Sequence, residues 1–277
     1  MFSKKVTAAV VVLYHPDSTA LRYIETYRDF VKFLYVIDNT ENVTSTILTS
    51  LLKHDNVKLL HKGENLGMAK ALNLALVVAQ KDNIRWLMTM DQDTYFKTHE
   101  FTVFFDALQT ITDPTVCLYA PLHNPKFIIK EQPLVEKRFV MTSANMINVS
   151  IIQSLGGFDE NLFIDEVDHE LCFRARAHGY KILLNQSIAV EHTLGTKDTK
   201  KVGLTCYPPE RLYYMTRNYL YLRKRYRDVE QDFFYKRDRY MVKFLFQNIL
   251  YGQLHLENIK MIIRGLRDYR QQHFGKL

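Results

Sequence analysis

The chain has 277 residues, of which 47% are hydrophobic and 24% are charged, and its formal net charge is +7. A chain of this length and composition can bury a full core, which excludes a disordered protein and favours one large domain or one domain with an appendage. Its three cysteines form no Cys-x-x-Cys pair and no run of about 18 apolar residues occurs, so a disulfide framework, a structural zinc site and a membrane span are excluded and a cytoplasmic location is expected.

Short apolar runs alternate with helical patterns in the first part of the chain. Strands are predicted at Thr7–Leu13, 33–37, 57–61 and 86–90, and helices at 21–31, 44–52 and 68–79. Strands that alternate with helices favour a parallel sheet, and near-continuous apolar strands are typical of a sheet that is covered on both faces. We therefore predict an α/β fold with a mostly parallel central sheet flanked by helices.

The pattern loosens after Ala120. A proline-containing loop is predicted at 121–133, shorter strands at 139–142, 181–184 and 189–192, and a helix at 171–178. From Pro208 onward the chain has a helical pattern rich in tyrosine, arginine and lysine. The sequence therefore predicts two parts, an α/β domain at residues 1–207 and a helical C-terminal region at residues 208–277.

Two aspartates flank one glutamine directly after the apolar run at residues 86–90. Residues i and i+2 of an extended segment point the same way, so Asp91 and Asp93 can face one ligand while Gln92 faces away. Two close carboxylates repel each other unless a cation lies between them or one is protonated. Because Mn²⁺ and Mg²⁺ are commonly held by carboxylates together with substrate phosphates, the motif predicts such a metal site. A solvated turn is the alternative interpretation.

Further polar groups follow the second and third predicted strands, and ligands in open α/β sheets bind beyond the carboxyl ends of strands. Asp38 and Asn39 could bind a ribose or a base there, with an ordinary Asx turn as the alternative. Asn65 and Gly67 precede a helix whose free amides, with Lys70 nearby, suit an anionic ligand. No P-loop or dinucleotide-binding fingerprint is present.

A second acidic cluster spans residues 159–170. It is explained in part by a helix start, where acidic side chains complement the helix dipole. Alternatively, one carboxylate takes a proton from a hydroxyl that attacks an activated carbon. His192 follows a later apolar run and is a candidate metal ligand, although a lone histidine is more often structural.

The polar motifs form one ordered series along the chain. They are Tyr14-His15-Pro16, Ile37-Asp38-Asn39, Asn65-x-Gly67, Asp91-x-Asp93, Gly156-Gly157-Phe158-Asp159, Asp165-Glu166-x-Asp168 and His192. In order and spacing they resemble the motifs of the family 2 glycosyltransferases, which have the GT-A fold, over roughly residues 6–225. With Arg211-x-Tyr213-Tyr214-x-x-Arg217-Asn218, the chain most resembles the bacterial rhamnosyltransferases of that family.

The resemblance implies transfer of a sugar, with inversion, from a nucleotide diphosphate to a hydroxyl of a glycan or lipid-linked acceptor in bacterial cell-surface polysaccharide synthesis. The expected donor is dTDP-rhamnose, or another dTDP- or UDP-sugar, and the expected cofactor is Mn²⁺ or Mg²⁺. The predicted nucleotide-binding residues are Tyr14, His15, Asp38, Asn39, Asn65, Gly67, Lys70, Asp91 and Gln92. The predicted metal ligands are Asp91, Asp93 and His192. Asp165 is the favoured base, Glu166 is the alternative, and Asp168 would hold the loop or the acceptor.

The C-terminal region is strongly basic. Residues 211–277 carry 15 Lys and Arg against 6 Asp and Glu, whereas residues 1–210 carry 22 against 24. Basic helices with aromatic residues suit an anionic membrane, so we expect peripheral attachment to the inner face of the cell membrane. The alternatives are the core of a helical appendage and a homo-oligomer contact. Nucleic acid binding is disfavoured because the acidic clusters would repel a phosphate chain.

Two other classes of protein share parts of this pattern. A sugar-1-phosphate nucleotidyltransferase would carry a glycine-rich, arginine-containing loop after the first strand, and Tyr14-His15-Pro16-Asp17-Ser18 is not one. A non-catalytic nucleotide-binding scaffold would keep the sheet and lose the acidic residues. Because all of these acidic residues are present, an enzyme is favoured.

Overall fold

The computed structural model describes residues 6–41, 46–97, 99–129, 131, 133–192, 206–252 and 254–277. The strands are β1 (Thr7–Leu13), β2 (Phe33–Glu41), β3 (Val57–Gly63), β4 (Trp86–Asp91), β5 (Thr94–Tyr95), β6 (Val116–Leu122), β7 (Leu134–Glu136), β8 (Asn145–Asn148), β9 (Lys181–Ala189) and β10 (Glu191–His192). The helices are α1 (Ser18–Glu25), α2 (Thr46–Leu51), α3 (Gly67–Lys81), α4 (Glu100–Gln109), α5 (Val149–Ser154), α6 (Val167–Ala177), α7 (Pro209–Tyr226), α8 (Gln231–Tyr251) and α9 (His255–Arg270).

The main sheet has the strand order β3-β2-β1-β4-β8-β6-β9-β7. Strands β1, β2, β3 and β4 run parallel to one another, and β6 runs parallel to β9. Strand β8 is antiparallel to both β4 and β6, and β7 is antiparallel to β9. In register, Val12 lies opposite Asp91 and Leu13 lies opposite Asp38. The carboxyl ends of three strands therefore meet at one edge, and the predicted mostly parallel α/β sheet is confirmed.

Helices cover both faces of this sheet because its central strands are apolar on both sides. Every residue of β1 is buried. Helices α3, α5 and α6 share a core with one face, and α1, α2 and α4 share a core with the other. A third cluster joins Phe173 of α6 to residues of α7 and α8 and to Ile262 of α9. The C-terminal helices thus pack on the helix that follows the second acidic cluster.

The predicted strand at residues 139–142 is wrong, because the chain forms β8 three residues later. Val140 is 6% exposed, while Phe139 and Met141 are 43% and 41% exposed. The segment therefore has the alternating burial of a strand without pairing in the sheet. The strand that does pair runs antiparallel between β4 and β6.

The first helix also differs from its prediction at residues 21–31. It begins at Ser18 because the Asp17 side chain caps it, accepting hydrogen bonds from the amides of Thr19 and Ala20. It ends at Glu25 and is followed by a 3-10 turn. The predicted loop at residues 121–133 contains the end of β6 and another 3-10 turn.

The C-terminal region consists of helices, with α7 beginning at Pro209. Within the described ranges no helix is both long and apolar enough to cross a membrane. The division of the chain at residues 207 and 208 stays a prediction.

Gly67 is the point where α3 meets the second acidic cluster. Its φ is +74°, and a Cβ atom there would lie 2.5 Å from the Phe163 carbonyl oxygen. The next amide, that of Met68, donates a hydrogen bond to that same oxygen at 2.7 Å. This contact joins the loop after β3 to the segment before α6 and leaves no space for a side chain.

We predict that Gly67→Ala lowers the free energy of unfolding by more than about 2 kcal/mol, because it adds a steric clash to a left-handed backbone. Gly63→Ala is the matched control, since its φ is +89° and nothing lies within 4 Å of its Cβ position. The control should lose only about 1 kcal/mol in urea unfolding. Equal losses would show that the Phe163 contact does not constrain this position.

Candidate functional site

The three predicted metal ligands lie together at the carboxyl edge of the sheet. One donor atom from each of Asp91, Asp93 and His192 lies within 4.8 Å of the others. Strand β4 ends at Asp91, and the two aspartates are brought together by a turn rather than by the expected extended segment. Strand β10 pairs with β5 so that His192 is opposite Thr94, which sets its Nε2 atom 3.0 Å from Asp93 Oδ1.

Burial and neighbouring charges shift the pKa values of two members of this group. Burial, together with the Asp93 charge, raises the pKa of Asp91 to about 6. The hydrogen bond to Asp93 raises the pKa of His192. Two carboxylates and an imidazole are donors that suit Mn²⁺ and are compatible with Mg²⁺. The residues present therefore fit a divalent metal.

Gln92 joins this turn to the end of β1. Its Oε1 atom accepts a hydrogen bond from the Tyr14 amide at 2.8 Å, and its Nε2 atom donates to the Tyr14 carbonyl at 3.0 Å. The Tyr14 side chain is 47% exposed and its ring lies 4.4 Å from that of His15. Gln92 thus holds the backbone that presents the Tyr14 ring at the site, a role that the sequence did not indicate.

Asp38 and Asn39 are buried at the end of β2, where a longer strand than predicted encloses them. Asp38 Oδ1 accepts a hydrogen bond from the Thr40 amide at 3.0 Å. This is the contact of an Asx turn, which was the alternative to binding a ribose or a base. Asn39 Oδ1 accepts one from the Leu66 amide, and its Nδ2 donates to the Gly67 carbonyl, both at 3.2 Å. Asn39 therefore holds the segment between β3 and α3, whereas Asp38 binds within β2.

The start of α3 does not offer the free amides that the sequence suggests. Asn65 Oδ1 accepts the hydrogen bond of the Gly67 amide at 2.9 Å. The next amide, that of Met68, is bound by the Phe163 carbonyl. Lys70 is exposed on the first turn of α3. Of these candidates, Lys70 has the accessible polar group.

The turn before α6 presents two acidic side chains that are already paired. Asp165 Oδ1 accepts a hydrogen bond from Arg211 at 2.6 Å. Glu166 lies 3.0 Å from Arg237 and 2.8 Å from His169 Nδ1. Burial raises the pKa of Asp165. Although burial also acts on Glu166, its histidine and arginine partners hold the pKa of that carboxyl below its usual value.

Asp168 is the most accessible of the three carboxylates at residues 165–168. Its side chain is 27% exposed, against 14% for Asp165 and 5% for Glu166. It lines a small cavity with Thr89, the residue two positions before Asp91 on β4. Its charge also contributes to the raised pKa of Asp91, after burial and the Asp93 charge.

Asp91, Asp93 and His192 are called the metal group below. Two residues near it were not among the predicted site residues. The charge of Arg211, on α7, lowers the pKa of Asp91, and the same side chain binds Asp165. The His123 ring lies 5.8 Å from that of His192, and burial lowers the His123 pKa to about 4. Arg211 could have been found from its place in the rhamnosyltransferase-like motif, whereas His123 has no local sequence signal.

Comparison with known proteins identifies the family. Residues 11–152 match the model of glycosyl transferase family 2, and the chain belongs to that family. It is 27% identical over 237 residues to the dTDP-rhamnosyl transferase RfbF of Shigella flexneri, which covers 78% of this chain and 79% of that protein. The predicted family and the resemblance to bacterial rhamnosyltransferases are confirmed. The chain is thus a glycosyltransferase, and the nucleotidyltransferase and scaffold alternatives are disfavoured.

Solved structures show the same fold. GalNAc-T7 with UDP, GalNAc and Mn²⁺ matches 96% of this chain with a TM-score of 0.62 and 14% identity, although the chain spans only 56% of that protein. Residues 1–349 of TarS from S. aureus, in complex with UDP-GlcNAc, match 96% of this chain and 80% of that one with a TM-score of 0.58 and 18% identity. The predicted GT-A fold is confirmed.

We predict that Asp91→Asn raises the free energy of unfolding of the metal-free protein at pH 8 by about 1–3 kcal/mol. The pKa of about 6 means that ionised Asp91 is less favourable in the folded protein than in the unfolded chain, where the pKa is 3.8. The gain should shrink as the pH falls below about 6 and vanish below about 4, where the wild-type carboxyl is protonated in both states.

Urea unfolding in EDTA from pH 4 to pH 8 measures this effect. Asp93→Asn is the comparison variant, because it relieves the repulsion on Asp91 but also removes the partner of His192, so its gain should be smaller than that of Asp91→Asn. A loss of stability in Asp91→Asn at every pH would contradict the raised pKa.

Proposed function

We propose that the protein transfers L-rhamnose from dTDP-rhamnose, with inversion, to a hydroxyl of a glycan or lipid-linked acceptor in bacterial cell-surface polysaccharide synthesis. The observation that carries the proposal is the group of Asp91, Asp93 and His192 at the carboxyl edge of a GT-A sheet, with Asp168 lining a cavity beside Thr89 of β4. The relative that is a dTDP-rhamnosyl transferase supports this donor. The UDP and UDP-GlcNAc of the similar solved structures make UDP-sugars the alternative.

Two positive charges would hold the sugar donor: a bound divalent metal ion and the side chain of Arg211. Asp91, Asp93 and His192 would bind Mn²⁺ or Mg²⁺, which when bound neutralises charge on the leaving diphosphate. Arg211 supplies a second positive charge on the same side, and its side chain is 40% exposed. The exposed ring of Tyr14 offers a stacking surface for the nucleobase.

The base in this proposal is Asp168 instead of Asp165. Asp165 and Glu166 are bound by arginines, whereas Asp168 is the most accessible of the three. Asp168 accepts a hydrogen bond from the His169 amide at 2.8 Å and lies 3.4 Å from the Nδ1 atom of His169. Asp168 takes the proton of the acceptor hydroxyl as that oxygen forms a bond to the sugar C1. The bond from C1 to the diphosphate breaks on the opposite face, and its electron pair leaves with dTDP.

We predict that Asp168→Asn lowers the rate of nucleotide release from dTDP-rhamnose by about 10²–10⁴-fold, the range for loss of a general base. Water can replace the acceptor, so dTDP release with Mn²⁺ is measured with water and with diphospholipid-linked glycans. Binding of dTDP and Mn²⁺, measured by calorimetry, should be unchanged. Glu166→Gln is the matched control, because its carboxylate is already bound to Arg237 and His169.

Two results would contradict the proposal. Wild-type protein that releases no nucleotide from any dTDP- or UDP-sugar, with metal and acceptors present, would exclude the reaction. A larger loss in Asp165→Asn than in Asp168→Asn would return the base to Asp165.

We also propose that α8 and α9 lie on the anionic inner surface of the cell membrane. Four apolar residues of α8 share one face at helical spacing, and they are 64%, 72%, 60% and 47% exposed. They are Tyr235, Val242, Phe246 and Leu250. Such apolar faces, flanked by basic residues, are typical of helices that lie in a membrane interface.

Helix α9 repeats the pattern with residues that are 74%, 36%, 51% and 37% exposed. They are Leu256, Ile259, Ile263 and Leu266. Arg264, Arg267 and Arg270 lie on the same helix, and each basic residue near an anionic bilayer adds on the order of 1 kcal/mol. A bilayer would cover both apolar faces and hold the enzyme near a lipid-linked acceptor.

We predict that the protein floats with phosphatidylglycerol vesicles and not with phosphatidylcholine vesicles, and that Val242→Glu with Ile263→Glu abolishes flotation. Val103→Glu is the control, because Val103 is 53% exposed on α4, outside both faces. Wild-type protein that stays in the buffer would contradict membrane binding. A dimer that Val242→Glu with Ile263→Glu dissociates would assign these faces to a homo-oligomer.

A further inference from the structure

The turn before α6 has an unfavourable backbone. Asp165 and Glu166 are consecutive residues with φ of +65° and +64°, a left-handed conformation that is unfavourable for non-glycine residues. Helix α6 begins directly afterwards, so this turn sets the position of Asp168 in the first helical turn. The contacts that hold the turn therefore determine where the proposed base lies.

Asn218 of α7 contacts the backbone of this turn. It is completely buried, and its Nδ2 atom donates hydrogen bonds to the carbonyl oxygens of Ile164 at 2.6 Å and Asp165 at 3.3 Å. These carbonyls belong to the peptide units on either side of the first left-handed residue. A single side-chain amide thereby fixes the orientation of both units.

The neighbouring Arg217 fixes the orientation of the Asn218 amide. Arg217 is also completely buried, and its Nε atom lies 3.0 Å from Asn218 Oδ1. A guanidinium can only donate hydrogen bonds, so the atom of Asn218 that faces it must be the oxygen. The nitrogen must then face the turn. Arg217 is itself held by the Tyr213 hydroxyl and the Asn161 carbonyl.

We infer that Asn218 is a positioning residue for glycosyl transfer: it acts through the left-handed turn to place Asp168 against the metal group. The inference rests on the proposed function, since it needs Asp168 as the base. Arg211 and Arg237 also reach this segment, but they bind the side chains of Asp165 and Glu166 and not the backbone. Asn218 contacts only the backbone of the acidic segment, so its substitution removes no carboxylate and no arginine partner of a carboxylate.

The test is the rate of dTDP release from dTDP-rhamnose with Mn²⁺ in Asn218→Ala and Asn218→Asp. We expect kcat to fall by about 10–100-fold, because a displacement of about 1 Å in a catalytic group costs up to that factor. KM for dTDP-rhamnose and the Kd of dTDP should stay within about twofold, since the metal group lies on other elements. Asn218→Asp keeps the size of the side chain and an acceptor for Arg217 but loses the donor. Asn218→Ser keeps a shorter donor and should lie between wild type and Asn218→Ala.

Asn258→Ala is the matched control. Asn258 is 1% exposed on α9 and donates a hydrogen bond to the Asn248 carbonyl at 2.9 Å, so its loss removes a comparable buried contact away from the turn. It should lower Tm and leave kcat unchanged. A merely structural Asn218 would behave in the same way.

Three results would overturn the inference: kcat within about twofold of wild type in Asn218→Ala, loss of dTDP binding in parallel with kcat, or an equal loss of kcat in Asn258→Ala. Failure of the proposed function looks different. In that case wild-type protein releases no nucleotide, or Asp168→Asn keeps the wild-type rate.

Discussion

The structure depends on the neutralisation of carboxylates that are gathered at one edge of the sheet. Like charges at such short distances repel one another, and burial strengthens the repulsion. Three of these carboxylates have a cation from another element: His192 for Asp93, Arg211 for Asp165, and Arg237 for Glu166. Asp168 has a more distant partner on its own helix, the Nδ1 atom of His169 at 3.4 Å, and Asp91 is a proposed metal ligand. Cations from other elements thus hold the carboxylates that have a structural role.

The same constraint explains the uneven charge of the chain. The C-terminal helices supply the arginines that bind the acidic segment, including Arg225, which lies 2.6 Å from Asp159 and 3.6 Å from Glu170. Since these cations face inward, the basic C-terminal region has a role inside the enzyme in addition to the membrane role proposed for its outer faces. The two roles are compatible because α7 carries most of the inward contacts, whereas α8 and α9 carry the exposed apolar faces.

The acidic segment is also held from the side of the sheet where β2 and β3 end. Asn39 binds the start of α3 at Gly67, and the Met68 amide binds the Phe163 carbonyl two residues before Asp165. The end of β2, the start of α3 and the acidic segment therefore belong to one continuous network of hydrogen bonds. Such networks restrict each member to one geometry, which suits a reaction that depends on the placement of a carboxylate.

The sequence by itself determined the first four long strands, the order of the motifs and the family, because apolar periodicity and motif spacing are local properties. Strand Thr7–Leu13 was predicted with its observed bounds, and Asp91, Asp93 and His192 were found as a group. Only the tertiary structure decided which side chains are already paired. Gln92 binds Tyr14 across 78 residues, Arg211 binds Asp165 across 46 and Arg237 binds Glu166 across 71. Because such partners meet only when the chain folds, no local pattern separates Asp168 from its acidic neighbours.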